Sequence, residues 1–339
     1  MTLVAGRYEL GQLLGSGGSA SVYRARDILS ERDVAIKVIP FGEGAAEHFE
    51  RFRHEALALS RLRSRHVARV HDFGRDPALG LYLVMEFIDG VHLEVSALGR
   101  PLLAHEVLRV ARGVLDALAD AHAAGLVHRD IKPSNCLVPR TRGLLNDVRV
   151  LDFGIARSLR RTQVLEGLGV EETRQGMVLG TPAYMAPEQL VDGAVGPATD
   201  VYSAGLMLFD LLGVGPLLPG ATLREQIVAR LTKEPSIRER VPGPLGDLLA
   251  RMLARDPKER FGDGAQALAA IGDLETAPVE QAELLSPRPS GVPSLPAPLI
   301  PAVRPPAALR SMTTRDEVPP SRGAAGRRAS STSCCGAGW

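Results

Sequence analysis

Hydrophobic and polar positions alternate along the first quarter of the chain. Between residue 7 and about residue 88, "RYELGQLLG", "SASVYRARD", "RDVAIKVIP", "VARVHDFG" and "LYLVMEFI" each carry the period of two that marks a strand. One stretch breaks the alternation. In "AAEHFERFRHEALALSRL", Phe49, Phe52, Leu59 and Leu62 recur at helical spacing. From about residue 100 the period becomes helical throughout. "LLAHEVLRVARGVLDALADAHAAG" predicts one long helix stopped by Gly125, and further helices are expected around 200–212, 222–232 and 244–254. A small sheet-rich part followed by a larger helical part predicts two lobes with a cleft between them.

Composition changes near residue 275. The segment from Thr276 to Trp339 holds 11 of the 25 prolines, and "SPRPSGVPSLPAPLIPAVRPP" has neither period, so an extended, disordered tail is expected. The 339 residues before and within that tail suffice for a sizeable core, and 45% hydrophobic content fits a globular protein. A net charge of +1 gives no electrostatic case for nucleic acid or an acidic membrane. Three cysteines, Cys136, Cys334 and Cys335, make no disulfide framework and match no zinc spacing. The N-terminus lacks the basic and apolar regions of a signal peptide, and the most apolar run, "SAGLMLF" from Ser203, is cut short by Asp210. A cytoplasmic protein with no membrane span is the expectation.

Several polar residues sit where a bland domain would not put them. In "LGSGGSASVY", glycines 15, 17 and 18 suit either a phosphate cradle or a flexible hairpin turn. A dinucleotide fold would need a helix afterwards, and a nucleoside-triphosphate P-loop would need Gly-Lys-Ser/Thr; neither is present. Glu55 falls on the apolar face of its helix, three residues after Phe52 and four before Leu59. A carboxylate there needs a cation, and Lys37 in "VAIKVI" is the natural one, unless both side chains snorkel to the surface. "GLVHRDIKPSNCLV" packs His128, Arg129, Asp130, Lys132 and Asn135 into one short loop, and "VRVLDFGIAR" ends a strand at Asp152. If "CLV" and "VRVL" pair as a hairpin, its open end brings Asn135 and Asp152 together. Their oxygens suit Mg²⁺, which shares ligands with substrate phosphates. Asp130 could then accept a proton from an attacking hydroxyl, and Lys132 could neutralise a transferring phosphoryl group.

Taken in order, the Gly-rich loop, "VAIK", Glu55, "VMEFIDG", "HRDIKPSN", "DFG", "GTPAYMAPE", "DVYSAG" and "DPKERF" resemble the bacterial eukaryotic-like, or Hanks-type, serine/threonine protein kinases over about residues 7–275. The resemblance implies an α+β, two-lobed protein-kinase fold. Its N-lobe, residues 1–88, would have a small five-stranded antiparallel sheet plus one helix. A larger, mainly helical C-lobe would cover 89–275, with the tail at 276–339.

The resemblance also implies roles. Asp130 would be the catalytic base and Lys132 would touch the γ-phosphate of ATP. Asn135 and Asp152 would bind Mg²⁺, or Mn²⁺ in its place. Lys37 would hold the α- and β-phosphates and pair with Glu55 in the active enzyme. Gly15 and Gly17 would approach the phosphates. Leu14, Val22, Ala35 and Leu137 would sandwich adenine, the backbones of Glu86 and Ile88 would bond its edge, and Met85 would guard the back pocket. Leu59, Val70, His128 and Phe153 would stack as a spine. Asp200 would anchor His128 and Arg129, and Glu188 would pair with Arg260. Arg129 beside Asp130 implies control by phosphorylation, with Thr173 the first candidate, then Thr162 and Ser158.

Lys132 and Thr181 resemble the serine/threonine class, so protein serine and threonine hydroxyls are the expected acceptors. A partner of the Pro-rich tail and a homodimer through the N-lobe are further expectations. A binding module without transfer would lack part of the chemical set, and a small-molecule phosphotransferase would not need "GTPAYMAPE". The sequence departs from the family at Ala20 in place of the third glycine, at "SRHVARV" in place of a His-Pro loop, and at "GVGPLLPG" after the buried helix.

Overall fold

The structure is a computed structural model, and it describes residues 2–16, 20–40, 45–140, 145–153, 182–191, 193–218, 220 and 222–275. Residues 1–289 form one compact unit, and the tail expected from residue 276 lies outside the described residues.

The N-lobe is an antiparallel sheet of β1 (Leu3–Val4), β2 (Tyr8–Ser16), β3 (Ser21–Asp27), β4 (Arg32–Ile39), β5 (Val70–Asp76) and β6 (Gly80–Glu86), in the order β1-β2-β3-β4-β6-β5. Five of these are the expected strands. The sheet has six because β1 pairs Leu3 with Glu9 and Val4 with Tyr8 and buries Val4 completely. Two residues are too few to show alternation, so only tertiary pairing reveals this strand.

Register sorts the side chains onto two faces, because directly opposed residues share a face. Val22 lies opposite Lys37, which lies opposite Leu83; Arg24 lies opposite Ala35, which lies opposite Met85. Val22, Ala35, Lys37, Leu83 and Met85 therefore line one face. The other face carries Ala25, Val34, Ile36, Val38, Tyr82 and Val84, which close into their own apolar cluster with Val4 and Tyr8. Helix α1 (Ala45–Ser60) buries Phe52, Ala56 and Leu59, and the Phe52 ring meets Phe73 of β5 edge-on at 6.2 Å.

The C-lobe begins with the short β7 (Gly90–His92) and α2 (Val95–Leu98), then the long α3 (Ala104–Ala123). Gly125 ends α3 with φ +75°, a left-handed conformation that costs glycine little. β7 joins β8 (Cys136–Pro139) and β9 (Arg149–Val150) in a three-stranded sheet. After α4 (Pro187–Leu190), α5 (Pro197–Leu211) is buried from Thr199 to Phe209, as a helix apolar on all sides must be. It is the run "SAGLMLF" in its place at the centre of the lobe. α6 (Leu223–Thr232), α7 (Ile237–Arg240), α8 (Pro244–Met252) and α9 (Gly264–Glu275) follow, α9 packing along α3. Among the described residues no helix is long and apolar enough to cross a membrane.

Two of the loops that depart from the family have their own supports. In "SRHVARV", the Arg63 and Ser64 amides donate to Asp120 of α3 at 2.6 and 2.7 Å, and the Ser64 hydroxyl donates to Asp116 at 2.6 Å. In "GVGPLLPG", Arg240 donates to the carbonyls of Val214 at 2.5 Å and Pro216 at 2.6 Å while its guanidinium lies 4.9 Å from the Phe209 ring.

Candidate active site

The hairpin that the sequence implies is formed. Cys136 pairs with Val150 and Leu137 with Arg149, and the Leu151 amide donates to the Asn135 carbonyl at 2.8 Å. Asn135 and Asp152 thus meet at its open end. The Asn135 amide group donates to the Asp130 carbonyl at 2.8 Å and to Asp130 Oδ2 at 3.1 Å. Lys132 Nζ donates to the same carboxylate oxygen at 2.8 Å. Asp130 is therefore aimed by two neighbours in its own loop.

The loop hangs from α5. Asp200, fully buried, accepts the His128 amide at 2.6 Å and the Arg129 amide at 2.7 Å. These two bonds hold Arg129 at φ +64°, a conformation that costs a non-glycine residue about 1–2 kcal/mol. His122 of α3 adds a third bond to Asp200 at 3.0 Å. The Gly264 amide donates to His122 Nδ1 at 3.0 Å, so Nε2 carries the hydrogen given to Asp200. His128 is held similarly: the Asp130 amide donates to Nδ1, and Nε2 donates to the Leu151 carbonyl at 2.8 Å. Burial pushes the His128 imidazole below its ordinary value, matching this neutral tautomer. Its ring lies 4.6 Å from that of Phe153, and Phe153 shares the main core with Leu59 and Val70.

Lys37 is nearly buried, and its ammonium donates to Asp152 Oδ1 at 2.5 Å. The carboxylate it meets is that of Asp152, which the hairpin end, also at positive φ (+60°), brings within reach of the inward face of β4; Glu55 lies half-buried on α1.

The adenine-contact candidates surround this point. Val22, Ala35 and Met85 share the inward face with Lys37, Leu137 is buried on β8, and Leu14 is exposed on β2. The Glu86 amide already donates to the Arg69 carbonyl at 2.8 Å, so Glu86 can offer a base only its carbonyl, and the N–H must come from Ile88. Gly15 pairs with Val22, and a Cβ there would meet nothing within 4 Å. Packing within the chain does not demand a glycine at that position. Gly17, Thr162, Thr173, Thr181 and Ser158 lie outside the described residues.

On the C-lobe side, Glu188 makes a two-bond pair with Arg260, at 2.8 and 2.9 Å, with Arg260 fully enclosed over the Tyr202 ring. Burial alone would raise the Glu188 carboxyl; Arg260 and the Thr199 hydroxyl outweigh it and hold it below its ordinary value. Gln189 of α4 donates to the Arg129 carbonyl at 3.0 Å, tying this segment to the catalytic loop. Gln189, His122 and Arg230 (which bonds two carbonyls just before α4) are structural participants that the motifs did not single out. The signal for Arg230 was available: it falls three residues after Ile227, a polar residue on an apolar helix face, as Glu55 does.

A loop bearing Asp130, Lys132 and Asn135 within six residues, a carboxylate at the mouth of a hairpin, and a lysine facing it across a cleft define a two-lobed phosphotransfer architecture. The family model "Protein kinase domain" matches residues 8–270. The serine/threonine-protein kinase PknL of Mycobacterium tuberculosis is 37% identical over 279 residues, 80% of this chain and 66% of that protein. PrkC of Bacillus subtilis is 33% identical over 281 residues, 81% of this chain and 41% of that protein. The crystal structure of the M. tuberculosis PknI kinase domain has the same fold, with a TM-score of 0.58 at 24% identity, covering 80% of this chain and 97% of that one. The chain belongs to the protein kinase family and, within it, to the bacterial Hanks-type serine/threonine kinases. It spans less than two thirds of the length of the curated relatives named here.

Proposed function

We propose that this chain is a serine/threonine protein kinase that transfers the γ-phosphate of ATP to protein hydroxyls. The observation that carries this is the joint placement of Asp130, Lys132, Asn135, Asp152 and Lys37 around one point. The acceptor hydroxyl oxygen attacks the γ-phosphorus, the bond to the β-phosphate oxygen breaks, and ADP leaves. Asp130 orients the hydroxyl and takes its proton; Lys132, bonded to Asp130, faces the charge on the transferring group. Lys37 holds the α- and β-phosphates. Gly15, whose missing Cβ no neighbour requires, leaves room for phosphate, with Gly17 beyond it. Leu14, Val22, Ala35, Leu137 and Met85 enclose the base, and the Glu86 carbonyl and Ile88 amide read its edge.

Asn135 Oδ1 and Asp152 would hold the divalent cation. An amide oxygen and a carboxylate are the hard oxygen donors that Mg²⁺ prefers. That ion, when bound, neutralises phosphate charge. Thr173, then Thr162 and Ser158, are the sites for autophosphorylation that Arg129 would read. Exposed Leu3, Ile28 and Leu29 on the N-lobe support a homodimer through that lobe, and the proline content of residues 276–339 supports a protein partner for the tail.

Incubation with γ-labelled ATP, Mg²⁺ and myelin basic protein, followed by phosphoamino-acid analysis, tests the acceptor class. Labelled phosphoserine and phosphothreonine are expected. Label confined to phosphotyrosine, or to free phosphate, would contradict the assignment.

A further inference from the structure

Arg230, like Arg260, is a buried arginine of the C-lobe. It lies in the last turn of α6, yet only 6% of it is exposed. Its Nη1 donates to the Met185 carbonyl at 2.9 Å and its Nη2 to the Ala183 carbonyl at 2.7 Å. One planar fork thus fixes two carbonyls two residues apart, on a segment 45 residues earlier in the chain. Burying a guanidinium is expensive, and here desolvation pulls Arg230 below its ordinary value. The two carbonyls are what the buried group obtains in return.

The residue between those carbonyls is held from the opposite end. Tyr184 donates its hydroxyl to Asp210 of α5 at 2.6 Å. Met185 packs with Leu190 and Ile227, which seats the segment on α4 and α6. Immediately after it, the Ala186 amide donates to Gln189, whose own amide group donates to the Arg129 carbonyl beside Asp130. Residues 183–186 are therefore a short strap between two fixed ends, the catalytic loop through Gln189 and α6 through Arg230.

We infer that Arg230 is a positioning residue for the protein acceptor: it sets the height and tilt of the 183–186 strap relative to Asp130, and so the docking of the acceptor chain, without touching ATP. This rests on the kinase assignment above. Both carbonyls that Arg230 bonds belong to the 183–186 strap and not to the β4–β6 face where Lys37 sits, so its loss is expected to act on the acceptor more than on ATP.

The test is steady-state kinetics of the full chain with myelin basic protein as acceptor, varying ATP and acceptor separately. For Arg230→Met, the acceptor KM is expected to rise about tenfold while the ATP KM changes less than about twofold. Arg230→Lys keeps the charge and can reach one carbonyl at a time, so it should fall between Met and wild type. Should the Met variant not fold, the Lys variant carries the test, with the same split expected at about threefold. An acceptor KM unchanged in a folded variant, or ATP and acceptor KM rising together, would overturn the role of Arg230 and leave the kinase assignment standing. Absence of transfer by the wild-type chain would overturn both.

Discussion

Asp152 accepts from Lys37 at 2.5 Å, an arrangement that keeps a nearly buried ammonium from standing alone. The proposed function gives the same carboxylate to the cation. Binding of ATP with Mg²⁺ must therefore exchange one ion pair for two new ones, and binding of ATP without the metal must leave Asp152 facing phosphate. Thermal unfolding reads this difference: Mg²⁺ with ATP should raise Tm more than ATP with EDTA, and in Asp152→Asn the gap between the two should shrink to near zero. A gap unchanged in that variant would remove Asp152 from the metal site. Individual residues were legible in the sequence where a motif fixed their spacing, as with Asp130, Lys132 and Asn135 in one loop. The Lys37–Asp152 bond was not legible. It joins positions 115 residues apart, and the alternation of β4 says which face Lys37 takes but not which of two carboxylates will reach it first.

Elements hold these residues through a few buried contacts. α5 carries Asp200 under the catalytic loop, and the Glu188–Arg260 pair pins α4 to the turn that precedes α9. Arg260 has no exposed side-chain surface and Glu188 very little, so removing one partner strands a charge. Arg260→Met should cost about 3–5 kcal/mol of stability, read as a lower urea midpoint with the slope unchanged. A loss under about 1 kcal/mol would place the pair among ordinary surface bridges. The long strands, α1 and α3 could be read directly, because each repeats its period over many residues and α3 meets its stop signal at Gly125. β1 and β7 span two and three residues and have no period to read. α9 escaped for another reason. "GAQALAAIGDLE" is alanine-rich with two glycines, so its burial against α3 comes from the close approach of small residues rather than from a hydrophobic stripe. Gly113 plays the matching part on α3, where a Cβ would lie 2.4 Å from Val148 and 2.9 Å from His66. A helix-interior glycine weakens the prediction of a helix, while here it is what lets the catalytic hairpin lie against α3.

Among the described residues, burial holds the imidazoles of His66 and His128 below their ordinary value. His66 donates from Nδ1 to the Val148 carbonyl at 2.8 Å and joins the "SRHVARV" loop to the hairpin; His128 sits beneath the catalytic loop. Burial lowers both from the ordinary 6.5. As pH falls below that value the unfolded chain binds protons that the folded one refuses, so stability is full above it and is lost toward lower pH. The urea midpoint should fall between pH 7.5 and pH 5.5, and His66→Asn, which keeps a donor near Nδ1, should flatten that slope; a slope equal to wild type would mean His66 does not contribute. The two-lobed division was the most legible feature at this scale, since a change of period from two to 3.6 near residue 100 marks it. The central claim concerns the chemistry between the lobes, and one measurement reaches it most directly. Single-turnover transfer from γ-labelled ATP to myelin basic protein should be compared for wild type and Asp130→Asn, with matched circular dichroism and matched nucleotide binding. A fall of about 10²–10⁴-fold in the transfer rate is expected for the variant. Equal rates in the two proteins would contradict the central claim.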